Sequence, residues 1–231
     1  MATTLGDLTS NVSVKLGDAT VGQYYAEALI KKSVGDAYRY YVMLMVTKGE
    51  GWFETTTDLT ITANTETISL ASLSPAYWKV SQLFKYVTDG EWPLKPREKR
   101  FHENVNLGVG SGDSYLPDYK QRGTNLVLMP TPQATEVNSL KLDYVYVPTF
   151  PTGASSDSFE FDDNFPEIYE SNIEIRAAIK CMESKDAVGG VSDIATFRQE
   201  LQALDEGFLA TIGRDEMPDE VEYVGLDYSL V

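Results

Sequence analysis

Residues 22–48 read GQYYAEALIKKSVGDAYRYYVMLMVTK, and the spacing inside this stretch decides the fold. Ala26, Ile30, Val34, Ala37, Tyr41 and Leu44 recur at steps of three and four, which stacks them in one stripe along an α-helix of about 3.6 residues per turn. Lys31, Lys32, Asp36 and Arg39 fall mostly off the stripe, on a face that stays wet. No proline interrupts the run, and Gly49 and Gly51 follow it as stop signals. Tyr24, Tyr25, Tyr38, Tyr40 and Tyr41 lie on more than one side, so the helix needs more than one neighbour. It is predicted as a central helix with a bundle around it.

Helical spacing recurs on both flanks. Upstream, Leu5, Leu8, Val12 and Leu16 form the stripe of a short first helix over Thr3–Leu16, with Thr3 or Thr4 as its N-cap and Gly17-Asp18 as its end. Downstream, Asn164-Phe165-Pro166-Glu167 reads as a helix start: an Asn cap, a first-turn proline and a glutamate three residues on. Phe165, Ile168, Ile175, Ile179 and Met182 make that stripe, interrupted by Asn172. Gly189-Gly190 break the chain, Ser192 caps the next helix, and Ile194, Phe197, Leu201, Leu204, Phe208 and Ile212 form its seam. Two amphipathic helices across a short turn predict an αα-hairpin whose stripes bury on the central helix.

Between these helices the period changes. FETTTDLTITANTETISLAS, residues 53–72, is rich in Thr and Ile, and with Asn64 at a turn it predicts two short strands. Asp89-Gly90 between WKVSQLFKYV and EWPLKP is a hairpin signal. Pro96–Asn106 reads as a short helix and 107–117 as a loop. Strands follow at Asn125–Met129, halted by Pro130 and Pro132, and at Ser139–Val147, where Leu140, Leu142, Tyr144 and Tyr146 share one face. Residues 150–164 read as a polar loop with an acidic end. The fold class is α+β: a helical bundle from 1–51 and 151–213, an inserted mostly antiparallel β-region over 52–150, and an extended C-terminal arm over 214–231. In that arm Val221, Tyr223, Leu226, Tyr228 and Leu230 stand among acids, which suits docking on a body or a neighbouring chain.

Composition excludes several function classes. With 231 residues the chain buries a core without metal or disulfide. No window approaches the roughly twenty apolar residues of a membrane span, and MATTLGDLTS lacks the basic and apolar parts of a signal peptide. Cys181, the lone cysteine, implies a reducing compartment and reads as a buried, inert thiol. A net charge of −16 argues against wrapping nucleic acid, which takes clustered cations.

No catalytic constellation stands out. His102 is the only histidine and no G-x-S-x-G accompanies it. Gly108, Gly110 and Gly112 lack the Lys-Ser/Thr pair of a phosphate loop. Asp157, Glu160, Asp162 and Asp163 lack calcium-loop spacing and read as a solvated acidic loop. Lys95, Arg97, Lys99 and Arg100 form the one dense basic cluster, read equally as a solvated face or as a contact for an acidic partner or neighbouring copy. No catalytic, cofactor or metal residue is assigned and no cofactor is expected; the interface candidates are that cluster with Tyr223, Leu226, Tyr228 and Leu230 of the arm.

The opening LGDLTSNVSVKLGD, the central YYAEALIKKSVGDAY, NLVLMPTP, LDYVYVP, FPEIYESNIEIRAAIKCMESKD and FRQELQAL together resemble phage head–tail adaptor (connector) proteins over most of residues 3–212. These include the tail tubular protein A of short-tailed phages and the shorter adaptors of long-tailed ones. The resemblance implies a virion structural protein and not an enzyme, made in the host cytoplasm. Such adaptors form a ring, typically of twelve copies, beneath the portal protein, and hold the next neck, nozzle or tail protein. DNA passes through the lumen without sequence-specific binding, and no membrane is involved. In a ring, Trp52, Trp78, Trp92 and the arm are expected to be buried between chains. The alternatives are a virion-associated glycan hydrolase, which needs two carboxylates about 5–9 Å apart in a cleft, and a receptor- or fibre-attachment module, whose usual long repeats are missing here.

Overall fold

The computed structural model describes residues 3–18, 24–48, 51–96, 112–184 and 194–212. Expectations for Pro96–Asn106 as a helix, for the Gly189-Gly190 break with its Ser192 cap and for the 214–231 arm fall largely or wholly outside these residues. The fold is mixed α+β with antiparallel sheets. The chain divides into two compact units, Met1–Trp52 with Thr149–Val231, and Phe53–Pro148.

The helical unit begins at α1 (Leu5–Lys15), started by a capping box: the Asp7 N–H donates to the Thr4 hydroxyl and the Thr4 N–H to the Asp7 carboxylate. The Thr4 hydroxyl, which also donates to the Asp7 carboxylate at 2.6 Å, and then the Thr4 N–H hold that carboxyl below the usual carboxylate range. Central α2 spans Glu27–Lys48 and starts later than the stripe predicts. The Tyr24 and Tyr25 N–H groups donate to the Asp18 carboxylate at 2.9 and 3.3 Å, a turn that competes with helix and leaves Ala26 exposed. The buried face is also wider than one stripe, because Tyr38, Val42, Met45 and Val46 join Ile30, Val34, Ala37 and Tyr41. Helices α1 and α3 (Glu170–Met182) both pack on it.

Residues 150–165 are not a plain polar loop. Pro151, Phe161 and Phe165 are buried, and Phe150, Phe161 and Phe165 meet the Tyr38 ring edge-on at centroid distances of 5.9, 4.6 and 5.3 Å. The segment also receives the start of α1, since Leu5 N–H donates to Phe159 O and Gly6 N–H to Asp157 O. Then α3 is entered through a 3-10 turn, Glu167–Tyr169. Pro166, not Asn164, holds the cap position of that turn and makes no side-chain cap, while the Asn164 N–H donates to the Asp162 side chain. The tighter turn shifts the helical phase, so Ile168 is 75% exposed while Tyr169 and Ile173 are buried. Helix α4 (Ile194–Ile212) keeps the predicted seam, with Phe208 and Ile212 buried and the other four apolar positions half-buried. It lies mainly on α3 and meets α2 where Phe208 packs edge-on against Tyr41 at 5.0 Å.

The β-unit holds two antiparallel sheets. Strands β1 (Glu54–Ile61), β2 (Thr67–Ser69), β3 (Tyr77–Val87), β4 (Gly90–Pro93), β5 (Asp118–Arg122), β6 (Asn125–Met129) and β7 (Glu136–Tyr146) arrange as β1-β7-β3-β4 and β2-β6-β5. Asn64 does turn the chain, at φ 59°, yet the strands it joins belong to different sheets: β1 pairs with β7 and β2 with β6. The β3–β4 hairpin pairs Val87 with Gly90 across Thr88-Asp89, with φ 134° at Gly90. Lys85, 2% exposed, pairs with Glu136, and the other Glu136 oxygen accepts the Gly112 N–H at 2.8 Å. Beside it Asp113 accepts from both the N–H and the hydroxyl of Thr88, which pull its carboxyl below the ordinary range.

Two measurements check this packing. A Cβ at Gly35 would meet the Pro151 carbonyl oxygen at 2.4 Å. Gly→Ala in a helix gains up to about 1 kcal/mol of propensity, but a backbone clash costs about 1–3 kcal/mol. Gly35→Ala should therefore lower the urea midpoint; a raised midpoint would contradict the close approach. The depressed Asp113 pKa supplies stability that is full above the unfolded carboxylate pKa and is lost as pH falls through the folded one. Thr88→Ala should move the Asp113 titration, followed by carboxyl NMR, up toward the ordinary value.

Candidate interaction surfaces

Of the residues singled out as contacts, Lys95 is described: it is exposed, just past β4, and its carbonyl accepts the Tyr119 N–H at 3.1 Å. Arg97, Lys99, Arg100, Tyr223, Leu226, Tyr228 and Leu230 lie outside the described residues, as do His102, Gly108 and Gly110. Gly112 opens a 3-10 turn and spends its N–H on Glu136.

The acids at 157–163 are not pooled at one site. Asp157 pairs with Lys31 at 2.7 Å, Asp162 holds the Asn164 N–H, and Glu160 joins Thr4 through its backbone in an isolated β-bridge. No group of three or more His, Cys, Asp or Glu among the described residues is arranged to hold a metal. A cavity of about 130 Å³ has Leu8, Phe161 and Ile173 in its lining and Asp163, Glu167 and Glu170 beside them. That is well below the roughly 300 Å³ at which ligand pockets start. A more open hollow of about 390 Å³ is lined by Asp7, Glu27 and Asp157. Asp7 is spent on the capping box, and Glu27 and Asp157 share Lys31. No carboxylate of that hollow is left unengaged for general acid–base work. Cys181 is buried in α3, and burial pushes its thiol pKa up, away from the thiolate a nucleophile needs.

What the structure does present is apolar surface. Trp78 on β3 and Trp92 on the edge strand β4 are 47% and 54% exposed, while Trp52 is half-buried. On the helical unit, Tyr40 of α2 is 42% exposed and carries the Arg176 guanidinium 3.8 Å above its ring. Arg176 donates to the Tyr41 hydroxyl at 3.1 Å and to Asp205 of α4 at 2.6 Å, and Tyr41 donates to the same carboxylate at 2.6 Å. Burial first, and the Asp205 hydrogen bond second, raise the Tyr41 hydroxyl well above its ordinary pKa. Sequence reasoning missed this clamp: Tyr41 and Asp205 are 164 residues apart, and no local pattern marks either.

The family model described as SU10 adaptor protein matches residues 3–221. No curated protein matches the chain.

The clamp around Arg176 is testable without any partner. Removing Asp205 leaves a part-buried guanidinium and a phenol without their acceptor, a loss of about 1–3 kcal/mol. Asp205→Ala should lower the melting temperature and speed amide exchange across 194–212. Unchanged exchange there would show that Phe208 and Ile212 alone hold α4.

Proposed function

The chain belongs to the SU10 adaptor protein family, a phage adaptor family, and from that premise we propose that it is a head–tail adaptor of the virion. In this reading identical subunits, twelve of them, close into a ring beneath the portal protein. The ring extends the DNA channel and holds the next neck, nozzle or tail component. The subunit is made in the host cytoplasm and catalyses nothing; its work is done by surfaces. The family match over 3–221 carries the reading.

Three observations support it. Trp78 and Trp92 are large apolar groups left in water on one sheet, the kind of surface that association covers. A net charge of −16 supplies the carboxylates from which a channel wall that repels phosphates can be built. The three carboxylates of the hollow lined by Asp7, Glu27 and Asp157 are taken up by capping and by ion pairs. Lys95, Arg97, Lys99 and Arg100 are proposed to meet an acidic surface of the portal or of the next subunit, and Tyr223, Leu226, Tyr228 and Leu230 to anchor the arm on a neighbour.

Mixing the purified chain with its portal and imaging the product tests the reading. A closed ring coaxial with the portal is expected, with Trp78 and Trp92 protected from hydroxyl-radical oxidation relative to the free subunit. A chain that stays monomeric beside the portal would overturn it. Wet tryptophans in a formed ring would overturn only the interface assignment.

A further inference from the structure

The outward face of α2 carries an apolar strip that is only partly covered: Arg176 lies over one face of the Tyr40 ring, and beside Tyr40, Met43 and Leu44 the surface is open. Residues 32, 36, 39, 40, 43 and 47 share one side of the helix at helical spacing. Tyr40 is exposed there and Met43 and Leu44 are half-buried. The strip runs into a groove of about 370 Å³ between α2, α3 and α4, whose lining includes Ala37, Ile179 and Leu201. The face is also cationic. Asp36 is taken by Lys180, while Lys32 and Arg39 are exposed and have no ion pair among the described residues. Arg39 lies over the Phe150 ring at 4.7 Å, a contact that leaves its charge without an acid, and in a chain with 35 acids and 19 bases such a strip is unusual.

The occupant that fits is the C-terminal segment of this chain. After Arg214 it has no lysine or arginine, and Asp215, Glu216, Asp219, Glu220, Glu222 and Asp227 alternate with apolar and aromatic residues. Its point of departure is also right. Leu201 lines the groove with Ala37, and Asp205 bonds Tyr41, so α4 runs alongside α2 in the same direction. Phe208 still touches the Tyr41 ring, so Ile212, the last residue of α4, ends that helix about one turn beyond the contact with α2. From Thr47 back to Asp36 the face is about 16 Å long at about 1.5 Å per residue. Five or six extended residues cover that at about 3.3 Å each, well within the length of 213–231.

We propose that in the free subunit residues 215–231 fold back in cis onto the α2 face, with their apolar residues on Tyr40, Met43 and Leu44 and their acids on Lys32 and Arg39. A short tether gives an effective concentration in the millimolar range, so the segment outcompetes other free subunits for this face. The face stays covered and the subunits stay apart until assembly offers the arm another site. This deepens the reading above and rests on it for that second site.

The test uses the full chain with benzoylphenylalanine in place of Thr47, and separately of Tyr40, irradiated as a mixture of isotope-labelled and unlabelled protein. Cross-links from either position to 215–231 are expected within one label. Their yield should fall about fivefold or more in the Lys32→Glu, Arg39→Glu background, the loss expected when two surface ion pairs become repulsive. Mixed-label cross-links would overturn docking in cis. Absence of cross-links to 215–231, or yields indifferent to the charge reversal, would overturn the site itself. The same proteins are then mixed with the portal. If a ring forms although no cross-link was found, this inference alone fails; if no ring forms, the adaptor reading fails whatever the cross-links show.

Discussion

The helical unit depends on one close approach, that of residues 150–165 to α2. Gly35 has no side chain, which lets the Pro151 carbonyl come within the space a Cβ would fill. One turn on, Tyr38 offers its ring to Phe150, Phe161 and Phe165 at once. The segment so seated then presents carbonyls to the first N–H groups of α1 and leads directly into the turn that starts α3. A helix N-terminus has about four N–H groups without partners, and here two of those of α1 are met by a strand-like neighbour instead of water. Three helices are thus fixed relative to one another by a stretch that has almost no regular structure of its own.

That stretch explains how far the sequence could be read. Helices α1, α2 and α4 were legible because a buried face repeats every three or four residues, and each runs for several turns. Phe150, Pro151, Phe159 and Phe161 follow no period, so among Ser, Asp and Gly they look like a loop, and only tertiary neighbours, Gly35 for Pro151 and Tyr38 for Phe161, make two of them core. The start of α3 failed for a related reason. Asn164-Phe165-Pro166-Glu167 is a sound capping pattern, but Asp162 supplies the turn and a 3-10 segment intervenes, moving Ile168 into water. In the β-unit the strands were visible, but apart from the β3–β4 hairpin at Asp89-Gly90 their partners were not. Leu59 lies opposite Leu140, some eighty residues away, and local alternation contains nothing about such pairing.

The candidate surfaces were less legible than the fold, and for a physical reason. Catalytic and metal sites demand particular residue types at particular spacings, whereas a contact surface only needs apolar area and a suitable charge. Trp78 and Trp92 could be flagged by type, but their exposure depends on where β3 and β4 fall in the sheet. Arg176 is the opposite case: no local pattern singles it out, yet it joins Tyr40, Tyr41 and Asp205 and so binds three helices.

Charge links these levels. Within the helical unit, cations are placed between elements: Lys15 on Glu174, Lys31 on Asp157 and Lys180 on Asp36 each tie one segment to another. Lys85, buried on Glu136, does the same inside the β-unit. With 19 bases against 35 acids, cations used in this way leave a large excess of carboxylates in water. Screening limits what that excess can do, since charges separated by more than about 8 Å barely interact at physiological salt. Acidity as a bulk property therefore cannot guide DNA through a ring; only carboxylates on the channel wall can. By the same argument Lys32 and Arg39 attract an acidic segment only if it lies against α2, which is why a short tether leaving α4 beside that face matters more than the net charge of the chain.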